Sequence, residues 1–97
     1  MTGMSLNEFI EKVYEGFELE FEWSGMTYFI QGTGQNGKYS LTVDYWSRTD
    51  GLEPHHGYLW EYECENLDER LKAFEEAKIF DGKTIYEIEA DIHVLWG

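Results

Sequence analysis

Two histidines stand side by side in the segment EPHHG, His55 and His56, with Asp50 and Glu53 nearby in the chain. Imidazole and carboxylate together are ligands for zinc and other transition metals. Adjacent residues seldom chelate one ion well, and the ligand spacings of closed zinc sites do not occur around this pair. His55 and His56 are therefore weak metal candidates, set against a plain polar loop. Cys64 is the only cysteine. It sits between Glu63 and Glu65, and negative neighbours disfavour the thiolate that a nucleophile requires. The glycines of GTGQNG (32–37) lack the lysine and hydroxyl residue of a phosphate loop. The glutamates are numerous, but a general acid and base need a pocket, and nothing in the pattern defines one. No catalytic constellation emerges, and neither an enzymatic activity nor a cofactor is expected.

The chemistry the sequence does favour is recognition by charge. In FELEFEW (17–23), Phe17, Leu19, Phe21 and Trp23 alternate with Glu18, Glu20 and Glu22. Successive side chains of a strand point to opposite faces, so this pattern lays one apolar row against one row of carboxylates. In YLWEYEC (58–64), Glu61 and Glu63 repeat the arrangement. The segment between Trp46 and Tyr58 adds Arg48 and flanking aromatics, the residue types that carry interface energy. The candidate partner-binding set is thus Glu18, Glu20, Glu22, Trp46, Arg48, Glu61 and Glu63.

The elements that must position these residues can be read from periodicity. Leu6, Phe9, Ile10, Val13 and Tyr14 share one helical face, opened by Ser5 with Glu8 three residues on and closed by Gly16. Strands follow at 17–23, 26–31, 38–46 and 58–64, joined by SG, by the glycine-rich GTGQNG turn and by a longer loop. Asn66, with Glu69, opens a second helix whose face is Leu67, Leu71 and Phe74. FDGK (80–83) ends it. Thr84 with Glu87 is a further capping box, favouring a helix from Thr84 to about Asp91. Yet Tyr86, Ile88, Ala90, Ile92, Val94 and Trp96 also alternate as a strand would, and pattern alone does not separate the two. The expected fold is α+β, a four-stranded antiparallel meander sheet with helices packed on one face in the order α-ββββ-α-α. A meander in chain order makes the first and fourth strands its edges. Residues 1–97 form a single domain on this reading, with 1–4 as a flexible tail.

Charge narrows the partners. The chain holds 20 acidic against 7 basic residues, a formal charge of −13. Affinity for a phosphate backbone comes from Lys and Arg displacing counterions, so direct nucleic-acid binding is not expected, and an anionic membrane is disfavoured likewise. The partner this charge attracts is a basic protein. With 18 % aromatic residues the chain can fill a core despite its charge. One cysteine permits no internal disulfide and fits a reducing compartment. The start MTGMSLNEF lacks the basic and apolar regions of a signal peptide, so a cytoplasmic location is expected.

The stretches YEGFELEFEWSGMTYFIQG (14–32) and AKIFDGKTIYEIEADIHVL (77–95) resemble a family of small acidic proteins of Gram-positive bacteria and their mobile elements. In that family a glycine-acid-aromatic strand leads into G-x-x-Y-F-I, and the chain closes with F-D-G-K-T/S-I-x-E-I. The resemblance supports the fold reading and a helix after Thr84, and implies no activity and no site residue. The functional expectation is a non-enzymatic acidic protein that binds a basic partner, in its sharpest form an inhibitor of a nucleic-acid-binding protein of the anti-restriction or anti-CRISPR type. An immunity protein against a basic toxin is the near alternative. A small metal-binding protein or enzyme using the 50–57 loop is the alternative of another class. The bland alternative is that the glutamates only protect sheet edges and keep the chain soluble.

Overall fold

In the computed structural model, residues 1–47 and 59–97 are described, with Trp46 and Ser47 described by their backbone alone. Helix α1 (Leu6–Glu15) begins at Ser5, whose hydroxyl accepts from the Glu8 amide at 3.2 Å. It ends at Gly16, with a left-handed φ of 82°. Strands β1 (Leu19–Trp23), β2 (Met26–Gln35), β3 (Lys38–Ser47) and β4 (Trp60–Cys64) follow as a meander. Then come α2 (Leu67–Glu76), a short α3 (Ile85–Ile88), a single 3₁₀ turn at Glu89–Asp91 and a final strand β5 (His93–Trp96). α2 is capped by Asn66, which accepts from the amides of Asp68 and Glu69. α3 opens with the reciprocal Thr84–Glu87 capping box that the sequence advertises.

The fold is α+β with helices and an antiparallel sheet, as expected, but among the described residues the sheet has five strands rather than four. Its order is β4-β3-β2-β1-β5. The tail of the chain contains both expected structures in succession: Thr84 caps a helix, and the β-branched end returns as a strand. β5 pairs antiparallel with β1, so β1 is a central strand and not an edge. The expected glycine turn is also shorter than read. β2 runs on through Gly32, Thr33 and Gly34 to Gln35, and only Asn36–Gly37 turns, both at positive φ, as a two-residue hairpin requires. Residues 1–4, expected as a tail, lie against the last strand. The Thr2 amide donates to the Ile92 carbonyl at 2.9 Å, and the Val94 amide to the Thr2 carbonyl at 2.8 Å.

One sheet face packs on the helices. Leu19, Phe21, Tyr28, Ile30, Leu41 and Val43 are buried there, met by Phe9 and Val13 of α1, by Phe74 of α2, and by Ile85 and Ile88 of α3. Phe80, just beyond α2, is the aromatic hub. Its ring centroid lies 5.2 Å from Tyr28, 5.9 Å from Phe21 and 6.5 Å from Phe74. Phe17, whose parity assigns it to this face, precedes β1 and is 52 % exposed, with the Lys12 ammonium 5.3 Å from its ring centroid.

α2 is tied to the rest through Arg70. Its guanidinium is buried and donates to the carbonyls of Tyr14 (2.9 Å), Ser40 (3.1 Å) and Thr33 (3.3 Å). One cation therefore links the C-terminal turn of α1, where the helix dipole favours positive charge, to both strands of the β2–β3 hairpin. Burial lowers its pKa, but a guanidinium stays charged at any ordinary pH. Beside it, Gly32 donates its amide to the Gly16 carbonyl at 3.2 Å. A Cβ on Gly32 would lie 2.6 Å from the Gly16 Cα, so this crossing accepts only glycine.

Candidate functional site

The face opposite the helices carries the acidic rows. Strand parity sends Glu20 and Glu22 of β1 away from the core, with Glu18 just before them in the same row. Their neighbours on β2 are Gln31, Phe29 and Thr27, and beyond these on β3 stand Thr42 and Asp44. Glu61 and Glu63 of β4 face the same way, opposite Thr42 and Ser40. Glu18, Glu61 and Glu63 are exposed, while Glu20, Glu22 and Asp44 are half-buried. Lys38 is the one lysine or arginine among the residues of the five strands, and its ammonium lies 3.9 Å from Glu63.

Apart from Asp44, and Lys38 at the hairpin end, the floor between the rows is uncharged and hydrogen-bonded. The Gln31 amide donates to Glu18 at 3.4 Å, and the Thr42 hydroxyl to the Gln31 carbonyl at 3.3 Å. The hydroxyls of Thr33 and Ser40 share a hydrogen bond. The register puts Glu18, Gln31, Thr42 and Glu61 in one line across the sheet. Three interstrand spacings separate its ends, about 14 Å. Along β1 the carboxylates repeat every second residue, about 6.5–7 Å. A shallow polar depression of about 350 Å³ lies toward the hairpin end, lined by Thr33, Gln35, Asn36, Lys38, Ser40 and Glu63.

Aromatic surface completes the face. Between Trp96 and Val94 β5 advances two residues, while opposite it β1 advances one, from Glu20 to Phe21. This bulge moves Trp96 off the parity of Val94. Val94 is buried in the core, whereas Trp96 is 48 % exposed and stands beside Glu20. Its indole N–H donates to the Glu20 carboxylate, and its ring centroid lies 6.2 Å from that of Phe29. On the same strand His93 faces Glu22, and its Nδ1 is 2.6 Å from the Thr2 hydroxyl.

The sheet thus brings Glu18, Glu20, Glu22, Glu61 and Glu63 onto one surface. The side chain of Trp46, together with Arg48, His55 and His56, falls outside the described residues. Cys64 is buried at the end of β4, and its thiol donates to the Asn66 carbonyl at 3.1 Å. Asp44 and Phe29 belong to the face although the sequence reading did not single them out. Their parity was a usable signal, since each alternates with core residues of its own strand. Trp96 had no such signal, because a bulge reverses its parity. Among the described residues no group of three or more His, Cys, Asp or Glu could hold a metal ion, and no helix is long and apolar enough to cross a membrane.

No protein-family model, curated protein or solved structure matches this chain.

Proposed function

We propose that this protein is a non-enzymatic interaction protein whose helix-free sheet face docks a cationic protein. The observation that carries the reading is the place of β1 in the sheet. Charged side chains protect an open edge, but β1 lies between β2 and β5 and has none. Edge protection therefore does not account for Glu20 and Glu22, and solubility would be served by acids anywhere on the surface. Neighbouring carboxylates at this spacing repel by about 0.6 kcal/mol per pair in water before salt screens them. A cationic partner relieves that repulsion on binding. Trp96 and Phe29, set beside Glu20, offer the aromatic contact that interfaces favour.

The spacing favours one finer form of this reading. Carboxylates about 6.5–7 Å apart come close to the repeat of phosphates along a DNA strand, whose axial rise is about 3.4 Å at the radius of the duplex. The partner is then a protein that ordinarily holds nucleic acid, and this chain is its inhibitor, of the anti-restriction or anti-CRISPR type, acting in the cytoplasm. An immunity protein that neutralises a basic toxin uses the same chemistry, and gene neighbours separate the two.

The test replaces Glu18, Glu20 and Glu22 together by Gln. Cationic proteins captured from a lysate at low salt are expected to be lost, while the variant still folds, because relieved repulsion offsets the weakened bond from the Trp96 indole to Glu20. Capture that survives the change unaltered refutes the reading.

A further inference from the structure

The two edges of the sheet are finished differently. At β5 the N-terminal segment lies alongside, with Thr2 bridged to His93 in parallel. At the other end, among the described residues, β4 pairs with β3 alone. Alternate amides and carbonyls of such a strand point away from its one neighbour and can pair with an added chain. The side chains of β4 sort into two kinds. Glu61 and Glu63 project exposed on the helix-free side. Trp60 and Tyr62 stand on the helix side, half-buried, their rings stacked at 6.0 Å and 3°. Trp60 packs against Phe74, and the Tyr62 hydroxyl donates to Glu69 at 2.7 Å.

We infer that β4 receives an extended segment of the partner as a sixth strand, one in which basic and apolar residues alternate. The inference rests on the proposed docking of a cationic protein and names the part of that partner which binds. A strand laid beside β4 places every second side chain directly opposite Glu61 or Glu63, at about 4.5–5.5 Å between Cβ atoms. Lysine or arginine at those positions forms cross-strand ion pairs. The intervening side chains extend the apolar surface begun by Trp60 and Tyr62. A second copy of this chain meets the opposite situation, because its own β4 would set glutamate against glutamate. The carboxylates that bar self-pairing therefore select a basic strand.

The probe is the heptapeptide Lys-Val-Lys-Val-Lys-Val-Lys, titrated into the isotopically labelled full chain. Two isomers accompany it, one N-methylated at the valines and one at the lysines. Both keep the charge, and each blocks hydrogen bonding along one edge of the peptide. Strand addition slows amide exchange within Trp60–Cys64 and makes the isomers differ at least tenfold in affinity. Replacing Glu61 and Glu63 by Gln weakens binding of the unmodified peptide about two- to thirtyfold, the range expected for two cross-strand ion pairs. Equal binding by the two isomers overturns the inference, as does a lack of binding by the unmodified peptide. Shifts confined to β1 and β5 overturn it too, but leave docking on the acidic sheet face standing. Loss of docking itself is read separately, from the Gln variants of Glu18, Glu20 and Glu22. A dimer that forms through β4, seen by sedimentation, makes a second copy the occupant and also overturns it.

Discussion

The indole N–H of Trp96 donates to the carboxylate of Glu20, joining residues 76 positions apart in the chain. The bond exists because β5 returns beside β1 and because a bulge turns Trp96 outward. It fixes one carboxylate of the acidic row and one aromatic ring of the same sheet face with respect to each other.

A double-mutant cycle measures that link. Trp96→Phe and Glu20→Gln each lower stability, and their combined effect falls short of the sum. The coupling expected in urea unfolding is about 0.5–1.5 kcal/mol, the range of a net hydrogen bond at a partly exposed site. Strict additivity means the bond contributes nothing in solution.

Arg70 ties α2 to α1 and to the β2–β3 hairpin. Arg70→Met removes the donor for the carbonyls of Tyr14, Thr33 and Ser40 together. Stability is expected to fall by about 3 kcal/mol or more, since each buried acceptor left without a partner costs about 1–3 kcal/mol. Arg70→Lys recovers only part, because one ammonium does not reproduce the fork of a guanidinium. Equal stability of the wild-type chain and the lysine variant in urea would show that charge alone suffices.

Two glycines separate steric need from backbone need. Gly32→Ala forces a methyl group against the backbone of Gly16 and the guanidinium of Arg70. A loss of about 1–3 kcal/mol is expected, with shifts spreading into α1 and α2. Gly25, at φ 79°, has open space around it, so Gly25→Ala is charged only with left-handed strain, about 1 kcal/mol, confined to the hairpin. Thermal unfolding and chemical-shift mapping distinguish them.

Tyr86 links stability to alkaline pH. Tyr86 is 44 % exposed, yet partial burial first, and then its hydrogen bond to Glu75, push the phenol up to about 12. A group whose folded pKa is raised stabilises fully below its ordinary value near 10, and that contribution is lost as pH rises through about 12. Tyrosinate absorbance is expected to show a component titrating near 12 that Tyr86→Phe removes. The stability difference between the two chains should shrink over the same interval. If the component that Tyr86→Phe removes titrates near 10 and not near 12, this is contradicted.

The strand character of 19–23 and 60–64, the capped helices after Ser5 and Asn66, and the alternation that sends glutamates to one face were all legible in the chain. Each depends on residues within a turn or two of one another, where periodicity and capping act. The sequence likewise offered both structures for 84–96, since Thr84 caps a helix while the β-branched end suits a strand, but could not assign them. Sheet order was decided by tertiary structure, because the pairing of β5 with β1 joins segments some 70 residues apart and competes with every other available edge. That one pairing made β1 central and took edge protection away as a reason for its glutamates. The bulge opposite Glu20–Phe21 then placed Trp96 on the acidic face against its own alternation. Local pattern determines which way a side chain points from its strand, but which strands lie side by side depends on the core that all of them build together.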